Sequence, residues 1–209
     1  MNKRNYQREL EKIIDEIPAG QRPRLLLHSC CAPCSSYVIE YLSRYFDICL
    51  YYYNPNISPE DEYIKRSEEL KRLVGSMDTE GAVEVKVAPY EPEEFYSMAK
   101  GLEHEPEGGA RCMGCYELRL RKTAEYMLSV EGTEEAYDFF ATTLSISPLK
   151  NAEALNSIGE AVAREYGLRY LVSDFKKKNG YKRSVELSEK YGLYRQDYCG
   201  CVFSKRPAS

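Results

Sequence analysis

The sequence predicts an α/β fold in which a parallel sheet of about five strands is covered by helices on both faces. Three observations support this prediction. Short apolar segments of strand length alternate with longer amphipathic segments of helical period. The 209 residues suffice for one hydrophobic core and are too few for two ordinary domains. Hydrophobic residues at 43% and charged residues at 30% are typical of a globular chain.

The first half of the chain contains three of the predicted strands. Leu10, Ile14 and Ile17 lie on one helical stripe, which predicts an amphipathic helix ahead of the core. Ser58 and Pro59 are suited to the N-cap and first position of a charged helix. The predicted elements are a helix over 6–17, a strand over 24–28, a helix over 34–45, a strand over 47–53, a helix from 59 to about 74, a strand over 83–87 and a helix over 92–100.

The second half continues the alternation after a polar, glycine-rich loop over 101–111. The predicted elements are a helix over 113–128, a strand over 137–142, a helix over 151–166, a strand over 168–172, a helix over 181–191 and a loop-like tail. No repeat, low-complexity tract or linker divides the sequence. We therefore expect a lead-in helix over 1–22 and a single catalytic α/β domain over 23–209, which includes the cysteine-containing C-terminal tail.

Localisation decides how the eight cysteines are interpreted. The sequence has no run of about 20 apolar residues, so we expect no membrane partner. The N-terminal residues lack the apolar stretch of a signal peptide, which favours the cytoplasm. A reducing compartment disfavours structural disulfides, and metal binding, redox chemistry or catalysis becomes the default expectation for cysteine.

The charge is unevenly distributed. The net charge is −4, but residues 164–209 carry a balance of +6 and the preceding residues a balance of −10. A basic segment on an acidic protein indicates an anionic partner such as a nucleic acid, and the alternative is a solvated, lysine-rich surface. The candidate nucleic-acid contacts are Lys176, Lys177, Lys178, Lys182 and Arg183.

Four of the predicted strands are followed by short polar or cysteine-containing segments. Ligands of parallel sheets bind beyond the carboxyl ends of the strands. If the sheet is parallel, these segments meet at one edge, and we expect the active site there. They are residues 28–34, 54–56, 143–147 and 173–174.

Seven of the eight cysteines form three tight groups. These are Cys30-Cys31-x-x-Cys34, Cys112-x-x-Cys115 and Cys199-x-Cys201. The first two groups begin helices, whose N-terminal dipole favours the thiolate form that binds metal. Adjacent cysteines do not normally reach one tetrahedral zinc, whereas an iron–sulfur cube offers them separate corners. Spacing alone leaves an iron–sulfur cluster, a structural zinc site and a redox dithiol open.

The remaining candidates are assigned from their local sequence. Cys199 and Cys201 would close a strained, reducible disulfide ring, which predicts a redox-active pair, with further metal ligands as the alternative. Cys49 lies in an apolar strand and is expected to be an inert buried thiol. His28 is either a ligand or a hydrogen-bonded residue at a strand end. The radical-SAM, P-loop and G-x-G-x-x-G patterns are absent, so neither ATP nor NAD is expected.

Taken together, the motifs resemble one family, the QueH type of epoxyqueuosine reductase. The resemblance runs from about residue 24 to residue 203 and keeps the motif order. The motifs are Leu27-His28-Ser-Cys-Cys-Ala-Pro-Cys34, Asn54-Pro55-Asn56, Cys112-x-x-Cys115-Tyr116-x-x-Arg119, Ser173-Asp174-Phe175-Lys-Lys and Asp197-Tyr-Cys-Gly-Cys201.

The resemblance implies an oxidoreductase that catalyses the last step of queuosine synthesis in tRNA. The epoxide of epoxyqueuosine, at the wobble position of a tRNA anticodon loop, would be reduced to the cyclopentene. The family resemblance implies a [4Fe–4S] cluster, no cobalamin, an external electron donor and the Rossmann-like sheet of the PP-loop group. The Gly-Gly phosphate loop expected of that group is replaced by Cys-Cys, which argues against ATP.

Residue roles follow from the same resemblance. Cys30, Cys31, Cys112 and Cys115 would hold the cluster, and Cys199 with Cys201 would form the redox-active pair. The resemblance leaves Cys34 unassigned. Because Cys34 and Asp174 both follow parallel strands at the same edge, we expect them to hold an additional iron near the cluster, with a proton donor or a helix cap as other roles for Asp174. Two rival hypotheses from the residues alone are a zinc-stabilised RNA-binding module and a thiol–disulfide oxidoreductase acting on proteins.

Overall fold

The structure, a computed structural model, describes residues 4–205 as an α/β fold built on a four-stranded parallel sheet. Residues 1–3 and 206–209, at the ends of the two predicted segments, lie outside the described residues. The strands are β1 (Arg24–His28), β2 (Asp47–Tyr52), β3 (Val83–Val87) and β4 (Phe139–Thr142), in the order β3-β2-β1-β4. The predicted fold class is confirmed.

Helices connect the strands and cover the sheet. They are α1 (Tyr6–Asp15), α2 (Ala32–Leu42), α3 (Glu60–Ser76), α4 (Pro92–Ala99), α5 (Ala110–Ser129), α6 (Ala152–Tyr166) and α7 (Gly180–Lys190), with short 3₁₀ turns at Thr143–Ile146 and Val202–Ser204. None of the helices within residues 4–205 combines the length and the apolar character that crossing a bilayer requires.

Both faces of the sheet are buried at β1, β2 and β4, as expected of a parallel sheet between helical layers, whereas Glu84 and Lys86 of the edge strand β3 are exposed. Successive side chains of β1 point to opposite faces, so Leu25 and Leu27 pack in one core and Leu26 in the other. The first core includes Val38 from α2, and the second includes Leu120 from α5. The short apolar run of β1 is therefore the strand buried on both sides that its sequence predicts.

The predicted fifth strand is reduced to a single bridge beside β4. Phe140 and Tyr170 pair in parallel, with backbone hydrogen bonds from Phe140 N to Arg169 O and from Leu171 N to Phe140 O. Farther along, the Asn156 side chain satisfies both backbone groups of Ser173, at 2.9 Å each. Because a side chain replaces the neighbouring strand here, the segment does not continue as a ladder. The sheet therefore has four strands where the sequence predicts about five, a minor difference within the confirmed fold class.

The start of α3 also differs from the prediction. Pro59 is the N-cap, and the Ser58 side chain makes no capping bond. Ser58 instead contacts the C-terminal tail, because its backbone N–H donates to Gly200 O at 3.1 Å and its carbonyl accepts from the Tyr198 hydroxyl at 3.3 Å. The turn before α3 therefore anchors residues 198–200 beside the carboxyl edge of the sheet.

Candidate functional site

A cavity of about 340 Å³ opens where the carboxyl ends of the strands lead into loops. One wall is the segment after β1, with Cys30, Cys31 and Cys34. A second wall is formed by residues 144 and 146–150 after β4, and a third by residues 195–199 of the tail. Two of the segments expected at this edge, those after β1 and β4, therefore line the cavity.

The three thiols after β1 form one compact group. Their Sγ atoms all lie within 4.8 Å of one another, and those of Cys30 and Cys31 are 3.8 Å apart. Two thiolates on one tetrahedral zinc, each about 2.3 Å from the metal, would be about 3.8 Å apart. The spacing of the Cys30 and Cys31 Sγ atoms is therefore compatible with one tetrahedral ion, although adjacent cysteines do not normally share one. Cys31 in extended conformation at the N-cap of α2, with Cys34 in the first turn, creates this geometry.

The electrostatics of the group favour one thiolate. Hydrogen bonds from the thiols of Cys31 and Cys34, together with the charge of Arg119, hold the pKa of Cys30 well below its usual value. The same hydrogen bonds raise the pKa of Cys31 and of Cys34, whose thiols act as the donors. A thiolate at a helix N-terminus is both a nucleophile and a metal ligand. Within the part of the chain that the structure describes, no other set of three potential ligand atoms is this close.

The second cysteine pair lies on the first two turns of α5, between the other two groups. Cys112 packs in an apolar cluster that also contacts Cys30, and its Sγ accepts a hydrogen bond from Gly108 N at 3.2 Å. Cys115 packs instead with Cys199 and Cys201 of the tail. The fold therefore brings all three cysteine groups to one region from segments far apart in sequence.

Cys199 and Cys201 of the tail are free thiols in the structure, and Cys199 lines the cavity. Asn56 Nδ2 donates to Cys199 O at 3.2 Å, so the segment after β2 contributes by fixing the tail. A hydrogen bond from the Cys201 thiol, and then the charges of Lys150 and Arg119, lower the pKa of Cys199 to about 5. The pair therefore combines a stabilised thiolate with an adjacent thiol.

Cys34 and Asp174 are not brought to a shared site. Cys34 joins Cys30 and Cys31, whereas Asp174 is buried beside Lys176, with 2.7 Å between Oδ1 and Nζ. Asp174 does not line the cavity, although the neighbouring Ser173 is hydrogen-bonded to Ser145. An iron held by both residues stays a prediction, and their placement does not support it.

His28 and Cys49 are both in the sheet interior. The buried His28 ring bridges strands, with Nδ1 2.9 Å from Thr142 Oγ1 and Nε2 3.1 Å from Tyr53 O. Since a carbonyl only accepts, Nε2 carries the proton and Nδ1 accepts from the threonine. Burial, and then the charge of Arg119, lower the pKa of His28 to about 3. Cys49 is enclosed in β2, and burial raises the pKa of its thiol to about 11.

The five basic candidates divide into paired and free side chains. Lys176 contacts Asp174, Lys178 pairs with Glu11, and Arg183 forms a bidentate pair with Glu40 at 2.7–2.9 Å. Lys177 and Lys182 are exposed and form no ion pair with any residue from 4 to 205. The lysines available to an anionic partner are thus fewer than the sequence indicates.

Three buried cations around the cavity were not predicted as site residues from the sequence. Arg66 is held by Glu62 at 2.7 Å, and its Nη2 is buried without a hydrogen-bond partner among the described residues. Lys150 pairs with the carboxylate of Glu107 at 3.3 Å and lies over the ring of Tyr116. Arg119 has no carboxylate partner among residues 4–205. Only Arg119 lies in a recognisable motif, and lysine and arginine are normally exposed, so the sequence carries no signal for the burial of these three residues.

Comparisons with known proteins agree with this arrangement. A family model described as "Epoxyqueuosine reductase QueH" matches residues 25–207, a range that includes all eight cysteines. The chain is 46% identical over 205 residues to a Staphylococcus epidermidis protein named epoxyqueuosine reductase QueH, covering 96% of this chain and 84% of that protein. A protein of the same name from Streptococcus pyogenes is 46% identical over 187 residues, covering 88% of this chain and 71% of that protein. Another from Thermotoga maritima is 34% identical over 186 residues, covering 86% of this chain and 89% of that protein.

Proposed function

The chain belongs to the epoxyqueuosine reductase QueH family, and from this membership we propose that it reduces epoxyqueuosine to queuosine in tRNA. The reaction removes the epoxide oxygen as water, and it consumes two electrons and two protons to leave a cyclopentene. The observation that carries the proposal is the convergence of three cysteine groups on one region, within the range matched by the family model: the first group and Cys199 line the cavity, and Cys112 and Cys115 pack against them.

The donor set suits an iron–sulfur cluster. Thiolates are the usual ligands of such clusters, and the proposed four are Cys30, Cys31, Cys112 and Cys115. Support comes from the contact of Cys112 with Cys30 and from the absence of any carboxylate in the compact thiol group. A bound [4Fe–4S] cluster supplies electrons one at a time.

Cys199 and Cys201 are proposed to be redox-active. Oxidation of the Cys199 thiolate and the Cys201 thiol to one disulfide releases two electrons and one proton, so the electrons match those that the epoxide consumes and the second proton comes from solvent. An external electron donor must then reduce the disulfide. The proposal is supported by the stabilised Cys199 thiolate, because a thiolate is the form that reacts in thiol–disulfide chemistry.

The cavity is proposed to receive the wobble base after it leaves the anticodon stack. A volume of about 340 Å³ lies within the usual range for small-molecule sites. Bases of single-stranded loops can be extruded and stacked on aromatic side chains, and Tyr181 and Tyr198 line the cavity. Lys177 and Lys182 are the proposed phosphate contacts, on the surface of the same catalytic domain over 23–209. A tRNA substrate and reduced thiols are consistent with the cytoplasm.

The test is anaerobic purification followed by iron, sulfide and zinc analysis and an assay on epoxyqueuosine-containing tRNA. We expect brown protein with iron and labile sulfide, and turnover that depends on the modified tRNA. Colourless zinc protein would instead support an RNA-binding module, and turnover of protein disulfides without tRNA would support a general thiol oxidoreductase.

The ligand set is tested by single substitutions. Replacement of any one proposed ligand by alanine should remove most of the iron, because each thiolate holds one corner of the cluster. The matched control is Cys49→Ala, which removes a buried thiol outside the site and should leave iron and activity unchanged. A full cluster in any of the four ligand variants would contradict the assignment. These variants are Cys30→Ala, Cys31→Ala, Cys112→Ala and Cys115→Ala.

A further inference from the structure

Arg119 is a buried cation without an acidic partner. Its side chain is 3% exposed, yet no carboxylate among residues 4–205 forms an ion pair with it. Its Nη1 donates to Asn54 Oδ1 at 3.1 Å, and its Nε donates to Cys115 O at 3.3 Å. Both acceptors are neutral. A buried, uncompensated charge is strongly unfavourable, so the surroundings of Arg119 must supply negative charge in another form.

The groups around Arg119 that can carry negative charge are thiols. Arg119 lines the same cavity as Cys30, Cys31 and Cys199, and it is hydrogen-bonded to the backbone of Cys115. Although burial opposes the charged form, the thiols of Cys115, Cys30 and Cys199 raise the pKa of Arg119 above its ordinary value. The guanidinium therefore lies beside thiols of all three cysteine groups, and among these the pKa values of Cys30 and Cys199 are lowered whereas burial raises that of Cys115.

Arg119 is also held rigidly. Asn54 is fully buried, accepts from Arg119 through Oδ1 and donates through Nδ2 to Ser29 O at 2.9 Å. Ser29 immediately precedes Cys30, so one amide links the segment carrying the first cysteine group to the helix carrying the second. This arrangement fixes the position of the positive charge relative to both groups.

We infer that Arg119 is a positioning residue for electron transfer, whose fixed positive charge raises the reduction potential of the thiolate-bound centre. The inference rests on the proposed function, in which that centre is an iron–sulfur cluster. Net charge and hydrogen bonding around a cluster are established determinants of its potential. With an effective dielectric constant of about 20, one charge several ångströms away changes an equilibrium constant by more than tenfold.

The experiment is a potentiometric titration with dithionite of the iron-loaded protein, followed by visible absorption and electron paramagnetic resonance. Arg119→Gln removes the charge and should lower the equilibrium constant for one-electron reduction at least tenfold, or about 59 mV. Arg119→Lys keeps the charge and should stay within threefold of wild type. The matched control is Arg121→Gln, which removes an exposed, ion-paired charge two positions away on the same helix and should also stay within threefold.

The outcomes separate this inference from the proposed function. Equal reduction potentials in wild type and Arg119→Gln would overturn the inference alone. So would a potential lowered as much in Arg119→Lys as in Arg119→Gln. A wild-type protein that contains zinc instead of iron and sulfide would overturn both. If Arg119→Gln does not retain iron, Asn54→Asp is the alternative variant, because it places a negative charge against the guanidinium. It should also lower the reduction potential. An unchanged potential in Asn54→Asp would refute the role of Arg119.

Discussion

Replacing Asn54 by alanine is expected to destabilise the protein far more than the loss of one small side chain suggests. The Asn54 side chain is fully buried at the end of β2 and makes two hydrogen bonds, one to Ser29 O and one from Arg119 Nη1. Alanine can make neither bond. The substitution therefore leaves a carbonyl and a guanidinium without their partner in a region that water does not readily reach.

The size of the effect follows from these two groups. An unsatisfied buried carbonyl costs about 1–3 kcal/mol, and loss of a hydrogen bond to a charged group costs about 1.5–3 kcal/mol. Together they reduce the free energy of unfolding by about 4 kcal/mol, against a total of about 5–15 kcal/mol for an ordinary domain. For a chain of this size the melting temperature should fall by about 8–16 °C.

The assay is thermal and urea unfolding under anaerobic, reducing conditions, with Asn56→Ala as the matched control. Asn56 lies in the same turn and is equally buried, but it makes one hydrogen bond, from Nδ2 to Cys199 O, and its Oδ1 has no partner among the described residues. We expect that variant to lose about 1 kcal/mol. Equal losses in the two variants would refute the link from Ser29 through Asn54 to Arg119.

Three further predictions concern pH, redox chemistry and tRNA. The folded-state pKa of His28, about 3, lies below its unfolded value of about 6.5, so its contribution to stability is present above pH 6.5 and is lost as pH falls toward 3. Between pH 5 and 6, the free energy of unfolding in urea should therefore fall with decreasing pH by up to about 1.4 kcal/mol per pH unit. The His28→Gln variant should lack this pH dependence. Cys201→Ser should keep its iron but lose multiple turnover, and loss of iron would indicate a ligand instead. In the Lys177→Gln/Lys182→Gln variant, the logarithm of the tRNA binding constant should fall about 1.4 units less per decade of salt concentration than in wild type. Lys178 already pairs with Glu11, so Lys178→Gln should change this salt dependence less.

The sequence predicts the sheet well because hydrophobic periodicity reports burial directly. The ranges of β1 and β3 match the prediction residue for residue. The predicted strand over 168–172 is reduced to a single bridge with β4, and immediately beyond it the Asn156 side chain from α6 binds the backbone of Ser173. Hydrogen bonding between distant segments leaves no periodic signal in the sequence.

The site is predictable in its chemistry but not in its charge distribution. Cysteine spacing and strand ends identify the correct edge of the sheet, because parallel strands bring their carboxyl ends together. Nothing local distinguishes the buried Arg119 from the exposed Arg121 on the same helix. Similarly, the sequence does not show that Asp174 is neutralised by Lys176 instead of facing the cavity. Such pairings depend on tertiary contacts.

The division of the site between distant segments has a consequence for how the protein is synthesised. Cys34 and Cys199 face the same cavity from positions 165 residues apart in the chain. At about 5–20 residues per second, the ribosome produces the second position roughly 8–33 seconds after the first. Throughout that interval the nascent chain presents the thiols after β1 without the tail that later covers them. Delivery of metal to the finished polypeptide, and protection of these thiols from oxygen until then, are therefore separate requirements of its biogenesis.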